Sequence, residues 1–416
     1  MNVIKAIRSG HPGSLFSAFL HFDVSFMVWV LLGALGVFIG QDLNLTATQK
    51  GLMVAVPLLG GAIFRVAVGF LADRYGPKTT GVGCLVLLVV PLLWGWLGAE
   101  TFPEVLALGL LLGVAGASFA VALPLASRWY PPESQGIAMG IAGAGNSGTV
   151  IAVLLAPRLA REVGWHDVFG LAILPVLLTL VAFMLLAREV PDLPKPVPVR
   201  TAFRILHEPD LWWFGLFYSI TFGGFVGLAS FLGIFFHDQY GVGRVMAGNL
   251  TALCVLAGSG FRPVGGYLSD RIGGLRLLPW LYGLVAIALG LVGSLPPLGA
   301  AVAILIGAMT VLGMGNGAVF QMVPQRFRED IGLVSGLIGA AGGIGGFLLP
   351  SLLGGFKDLT GSYGVGFFVF AGLAVSCGLI LLRYRTRWQD TWTPEAVAAA
   401  VERQAGRVRM EVMYGG

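Results

Sequence analysis

Twelve runs of apolar residues fill most of this chain, each long enough to cross a hydrocarbon core about 30 Å thick. They fall at about 14–40, 50–72, 79–98, 103–126, 135–157, 168–187, 209–236, 245–269, 277–294, 299–321, 331–354 and 363–383. Lipid offers no partner to a free backbone N–H or C=O, so runs of this length must close their hydrogen bonds internally, as helices. Composition excludes a soluble alternative. Hydrophobic residues make up 56% and charged residues 11%, with a mean hydropathy of +0.85, whereas a soluble domain carries about 25% charged residues. The predicted fold is an all-α membrane protein of twelve transmembrane helices, embedded in a lipid bilayer. The first run is too long for a signal-peptide core and no small-residue cleavage site follows it, so it is expected to stay in the mature protein.

The net charge of +5 reports topology rather than a nucleic-acid partner. With both termini placed in the cytoplasm, Lys50, Arg158, Arg161, Arg244 and Lys357 face outward, and Arg65 and Arg262 lie within the membrane. The remaining nineteen Lys/Arg are cytoplasmic, as the positive-inside rule requires. The expected location is the inner (cytoplasmic) membrane. Cys84, Cys254 and Cys377 all sit in apolar runs without CxxC or His clusters, so no disulfide, metal or cofactor is expected.

Residues 188–208 divide the chain. Arg188 to Arg200 holds four prolines and mixed charge, a composition that cannot continue a helix and reads as an extended linker. This gives an N-terminal six-helix half (1–187), a cytoplasmic linker (188–208), a C-terminal six-helix half (209–385) and a polar tail (386–416) with a helical pattern. The halves repeat one another. Gly113–Pro124 resembles Gly313–Pro324 at an offset of 200, and Gly136–Gly140 resembles Gly332–Gly336 at an offset of 196. Parallel repeats of this kind are related by an axis along the membrane normal.

The same repeat places an arginine at one depth in each half. Arg65 and Arg262 each stand four residues before a glycine and eight before an Asp-Arg pair, Asp73-Arg74 and Asp270-Arg271. Eight residues correspond to about 12 Å of helical rise, and an arginine so deep costs roughly 2.5–3.5 kcal/mol to insert. Two of them at one depth point to a paired anion site. Gly143, Gly145, Gly342 and Gly343 belong to glycine-rich stretches in the fifth and eleventh spans. Glycines permit close helix packing and let backbone approach a small ligand. Gly143 to Gly148 also satisfies GxGxxG, but mid-span, with no preceding strand, so a dinucleotide site is not expected. Asn146 is an amide among these glycines and needs partners. Asp23 lies about 13 Å into the first span; intramembrane carboxylates mark proton relays, which makes it the candidate for proton coupling. His21 is two residues away, off its helical face.

The loops Gly69-Phe-Leu-Ala-Asp73-Arg74-Tyr-Gly76 and Gly266-Tyr-Leu-Ser-Asp270-Arg271-Ile-Gly273 resemble the G-x-L-x-D-R-x-G signature of the major facilitator superfamily. The resemblance implies the major facilitator fold, with Asp73, Arg74, Asp270 and Arg271 latching the halves during alternating access. Arg65, Arg262 and the glycine-rich spans resemble the nitrate/nitrite porter family (the NarK-like branch), as do Gly116 to Ala120, Leu216 to Gly223, and Phe320-Gln-Met. That likeness implies an anion held by Arg65 and Arg262, walled by Phe119, Phe222 and Phe320, and completed by Tyr218 and Asn146, with Gly116 beside it. Nitrate is planar and monovalent, which suits two guanidinium forks. The expectation is therefore a carrier rather than an enzyme: nitrate uptake by proton symport, with nitrate/nitrite antiport as the alternative, acting as a monomer. A drug or sugar carrier would want cavity carboxylates or many amides, which the fifth, eighth and eleventh spans lack apart from Asn146. A sensor of the same fold would want an attached signalling domain.

Overall fold

A computed structural model describes residues 7–189, 204–327 and 331–392. Among the described residues the regular structure is helical, without strands. The first half comprises α1 (Pro12–Trp29), α2 (Leu31–Ala34), α3 (Gly36–Asp42), α4 (Ala47–Tyr75), α5 (Pro77–Gly98), α6 (Phe102–Gly116), α7 (Phe119–Ser127), α8 (Pro132–Gly143), α9 (Gly148–Val163) and α10 (Trp165–Leu186). The second comprises α11 (Pro209–Tyr240), α12 (Arg244–Ile272), α13 (Gly274–Gly293), α14 (Leu298–Arg326), α15 (Ile331–Thr360) and α16 (Gly364–Trp392). Eleven spans among the described residues are long and apolar enough to cross a membrane. The twelfth crossing is α1–α3, one path of helix broken at Val30 and Leu35.

Local sequence explains where the helices begin and turn. Thr46 and Gln49 form a reciprocal capping box at the start of α4, Thr46 Oγ1 accepting from Gln49 N and Gln49 Oε1 from Thr46 N, which satisfies two orphan helix donors. Gly76 and Gly273, the last glycines of the two signature loops, join α4 to α5 and α12 to α13 with φ of 91° and 86°. An L side chain is strained there, so these matched glycines make the tight reversal possible.

Three uninterrupted apolar runs turn out to be interrupted helices. The first breaks at Val30 and Leu35. The fourth breaks at Ala117–Ser118, between α6 and α7. The fifth passes through a 3₁₀ turn, Ala144–Ser147, between α8 and α9. Apolar content could not show these breaks, because Val30, Leu35 and Ala117 are as lipid-compatible as their neighbours and the apolar runs continue on both sides of Ser118 and of Asn146-Ser147. The last helix departs the other way. It runs to Trp392, past the expected end of the second half at 385, because Trp388 is buried. Its indole stacks on Phe214 at 5.5 Å and donates to Asp210 at 3.1 Å. Most of the linker and the tail helix expected after it lie outside the described residues.

The halves meet along α4 against α15, α9 against α12, and α2–α3 against α11. Glycines set the approach. A side chain at Gly51 would strike the Pro350 carbonyl, at Gly354 the Ala47 carbonyl, at Gly248 the Val153 carbonyl, and at Gly33 the Ser230 backbone. Small residues allow backbones this close, and without a hydrophobic driving force in lipid such contact drives helix association.

Polar ties between the halves cluster at the end of the bundle that carries Lys50. Asp358 of α15 accepts from Ala47 N and Thr48 N at 3.1 and 2.8 Å, capping α4 from the other half. Lys50 pairs with Asp238 at 2.8 Å. Arg158 Nη2 donates to Asn249 at 2.8 Å, and Gln41 donates to His237 Nε2 at 2.8 Å, the His237 Nδ1 being directed at the Val242 carbonyl. At the opposite end, the ion pairs among the described residues stay within one half: Arg128–Asp73 at 2.9 Å, and Arg326 with Glu208 and Asp210.

Candidate functional site

Arg65 lies on α4 where α4 crosses α15, and it is 2% exposed. Its Nη1 donates to the Gly339 carbonyl of α15 at 2.6 Å and its Nη2 to the Gly116 carbonyl at 2.7 Å, while Nε has no partner. The guanidinium thus touches both halves. The Gly116 carbonyl is available because the helix breaks there. In an unbroken helix it would accept from Ala120 N; here Ala120 N turns to the Ala117 carbonyl in a 3₁₀ bond. The interruption of the fourth span converts a spent backbone acceptor into an arginine ligand.

Three rings surround the Arg65 carbon Cζ: Phe119 and Phe222 at 5.7 Å, and Trp29 at 5.9 Å. Distances below about 6 Å fall in the cation–π range. Phe222 stacks on Tyr218 at 5.0 Å with planes 2° apart. Phe320 stands edge-on to Tyr218 at 4.8 Å and to Phe119 at 5.7 Å. The cage closes with ring edges toward ring faces, as aromatic quadrupoles prefer. Tyr218 is buried and lies close to the half-exposed Arg262. One chain of contacts therefore joins Arg65, Phe119, Phe222, Phe320, Tyr218 and Arg262 across the interface.

The glycines divide by what surrounds them. Gly116 abuts the Trp29 indole, Gly342 abuts Tyr218 and Phe222, Gly145 abuts Phe22 and Asp23, and Gly343 abuts Ala62 and Leu58 of α4. A side chain at Gly143 would meet nothing within 4 Å. Gly116 and Gly342 shape the ring cage, whereas Gly145 and Gly343 set helix contacts beside it.

Asp23 and Asn146 sit together at the 3₁₀ turn. Ser147 Oγ donates to Asp23 at 2.6 Å, and the Gly148 N–H faces the same carboxylate. Asn146 is buried, and its Oδ1 has no partner. Among the described residues, Asp23 is the only buried carboxylate. It approaches the cage through Phe22, whose ring lies 5.8 Å from Phe119. His21 points elsewhere, to the Gly81 carbonyl and the Phe183 ring. Asp73 pairs with Arg128 of its own half, while Arg74 and Arg271 lie over the adjacent Tyr75 and Tyr267, and Asp270 is exposed. In this conformation none of the four signature charges bonds across the halves among the described residues.

Three participants escaped the reading of the sequence. Trp29 stacks on Phe222 at 6.4 Å and is held by its indole N–H to the Pro57 carbonyl at 2.7 Å. The Gly339 carbonyl ligates Arg65. Asn316 is a second buried amide with an unpartnered oxygen. An indole or amide deep in an apolar run needs a partner, and that was the available signal for Trp29 and Asn316. A backbone carbonyl leaves no signal at all.

A fold of two six-helix halves around one central, interface-bridging polar site is the architecture of a membrane carrier. The family profile described as Major Facilitator Superfamily matches residues 17–350. The chain is 32% identical over 371 residues to a nitrite extrusion protein of Bacillus subtilis (strain 168), covering 88% of this chain and 92% of that one. It is 31% identical over 389 residues to the "Probable nitrate/nitrite antiporter NarK1" of Thermus thermophilus, covering 85% and 87%. Among solved structures, a D-xylose–proton symporter superposes with a TM-score of 0.71 at 16% identity, over 91% of this chain and 97% of that one. The chain belongs to the major facilitator superfamily and, within it, to the nitrate/nitrite porter family.

Proposed function

We propose that this protein carries nitrate and nitrite across the cytoplasmic membrane by alternating access, the anion lying between Arg65 and Arg262. The observation that carries the reading is Arg65: a buried guanidinium, walled by three rings, bonded to two carbonyls and to no carboxylate. A buried charge without a counter-ion is expensive. A small planar anion neutralises it, and the ring walls keep water from weakening each hydrogen bond. The relatives' names point to the same anions.

Sidedness follows the distribution of Lys and Arg. It places both termini in the cytoplasm and the Lys50 end outside, so this conformation is closed outward. Asp73, Arg74, Asp270 and Arg271 then lie at the cytoplasmic end, where Asp73 exchanges Arg128 for a partner across the halves when that end closes. The protein works as a monomer, since both arginines come from one chain.

Nitrate enters with protons, and Asp23 is the group that takes them, being the buried carboxylate nearest the ring cage. A second reading, nitrate/nitrite exchange, is favoured by the charge of the site: with Arg65 and Arg262 uncompensated, the empty carrier resists crossing and the occupied one does not. Uptake of labelled nitrate into liposomes separates the two. Symport requires accumulation driven by an imposed pH difference alone. Exchange requires internal nitrite and ignores pH. Absence of nitrate flux under both conditions would remove the nitrate assignment itself.

A further inference from the structure

Asn316 lies on α14 between two glycines that pack against neighbouring helices. Gly315 packs against Thr221 of α11, where an added Cβ would come within 2.6 Å of the threonine methyl. Gly317 packs against the Arg262 carbonyl and the Gly266 N–H of α12. Phe320, one helical turn beyond Asn316 and so on the same face of α14, stands edge-on to Tyr218 at 4.8 Å. Asn316 therefore belongs to the face of α14 that looks toward Tyr218. Its two glycine neighbours bring that stretch of α14 against Thr221 of α11 and the backbone of Arg262 on α12. The Asn316 side chain is 1% exposed and its Oδ1 has no partner. Buried amide oxygens are ordinarily bonded.

The internal repeat says what that partner is. At the offset of 200 that relates Gly113–Pro124 to Gly313–Pro324, the counterpart of Gly116 is Asn316. Gly116 supplies the carbonyl that holds the Arg65 guanidinium within its own half. The fourth span frees that backbone carbonyl by breaking at Ala117–Ser118, but α14 runs unbroken from Leu298 to Arg326. Its backbone carbonyl at 316 is therefore committed to the helix, and an amide side chain can provide the oxygen instead.

Resting on the assignment of Arg65 and Arg262 as the anion ligands, we infer that Asn316 is the positioning residue for Arg262. Its Oδ1 accepts from the guanidinium and turns the remaining N–H groups toward the anion. The second half thus achieves with a side chain what the first achieves with a broken helix. Arg262 is half-exposed in the outward-closed conformation described here, and the bond forms as the halves close on the anion.

The test is nitrate binding to the purified full-length protein by isothermal titration, with thermal unfolding measured alongside. Asn316→Ala should weaken nitrate binding on the order of tenfold or more, as expected for loss of a hydrogen bond to a charged group. In a double-mutant cycle with Arg262→Lys, its effect should largely vanish, because the fork it orients is already gone. Asn316→Asp should hold Arg262 yet neutralise it, so nitrate affinity falls further while the unfolding temperature is not lowered. Wild-type affinity in Asn316→Ala, or fully additive effects in the cycle, overturns the inference and leaves the two-arginine site standing. An Asn316→Asp protein that loses stability in step with affinity also overturns it, since that is the signature of a packing amide. Failure of the wild type to bind nitrate would instead remove the site assignment beneath it.

Discussion

Arg65 uses its two terminal nitrogens on carbonyls from opposite halves, and the geometry of a planar fork is what lets one side chain do both. A lysine at that position keeps the charge but offers one point donor. Arg65→Lys and Arg262→Lys should each remove most nitrate binding, by about 2–5 kcal/mol, the range for breaking a hydrogen-bonded charge in a dry site. Titration of purified protein checks this, and near-normal affinity in either variant would remove the two-arginine site. Asn146 makes a smaller claim. Its oxygen is buried without a partner, in the 3₁₀ turn whose next residue, Ser147, bonds Asp23. Asn146→Ala should shift nitrate affinity or nitrate/nitrite preference by about 0.5–1.5 kcal/mol, one neutral hydrogen bond, with the protein still folded. If affinity and preference both stay at wild-type values, the amide serves packing alone.

The ends and interruptions of the helices, more than their length, position the polar groups of the candidate site. The break between α6 and α7 frees the Gly116 carbonyl, and the turn between α8 and α9 presents Ser147 and Gly148 to Asp23. The start of α4 is capped from the opposite half by Asp358, and one turn in, Lys50 reaches Asp238. A lost cap costs about 0.5–2 kcal/mol, and a part-exposed ion pair contributes about 0–1 kcal/mol. Together these are comparable to the gap between two conformers of a transporter. The Lys50→Ala, Asp358→Ala double variant should therefore populate the conformation open at the Lys50 end. Electron–electron distance measurements between spin labels at the exposed positions 162 and 359, one in each half, should show a new, longer component. An unchanged distance distribution would mean that glycine packing alone holds that end shut.

For the whole molecule, proton symport and anion exchange make different demands on Asp23. Arg65 already bridges the halves, and the only buried carboxylate among the described residues is Asp23, one aromatic ring removed from the cage. Asp23→Asn keeps size and hydrogen bonding but removes the titratable proton. Accumulation of nitrate driven by a pH difference should then collapse, whereas exchange of external for internal nitrate should persist, because it moves no net proton. Liposomes loaded with nitrate and assayed with and without a pH gradient distinguish these outcomes. Gradient-driven accumulation by Asp23→Asn would make the carboxylate structural, its bond to Ser147 being sufficient reason for its burial.

Span count and the repeat of the halves were legible in the sequence, and the proposal of Arg65 and Arg262 as an anion pair came from it too. Each rests on a local physical rule: apolar length against bilayer thickness, equal spacing of motifs, and the cost of a charge in lipid. The rings Phe119, Phe222 and Phe320 were reachable only through resemblance, because an aromatic residue in an apolar run looks the same whether it faces lipid, core or ligand. Tertiary structure alone decided the rest. Trp29 enters the cage because α1 packs on the glycines at 61 and 116. The partners of Arg65 are backbone carbonyls, one freed by a helix break and one lying 274 residues away in sequence. Sequence records side chains and their periods. It carries no mark for a carbonyl left without its helical donor, and none for which faces of two halves meet.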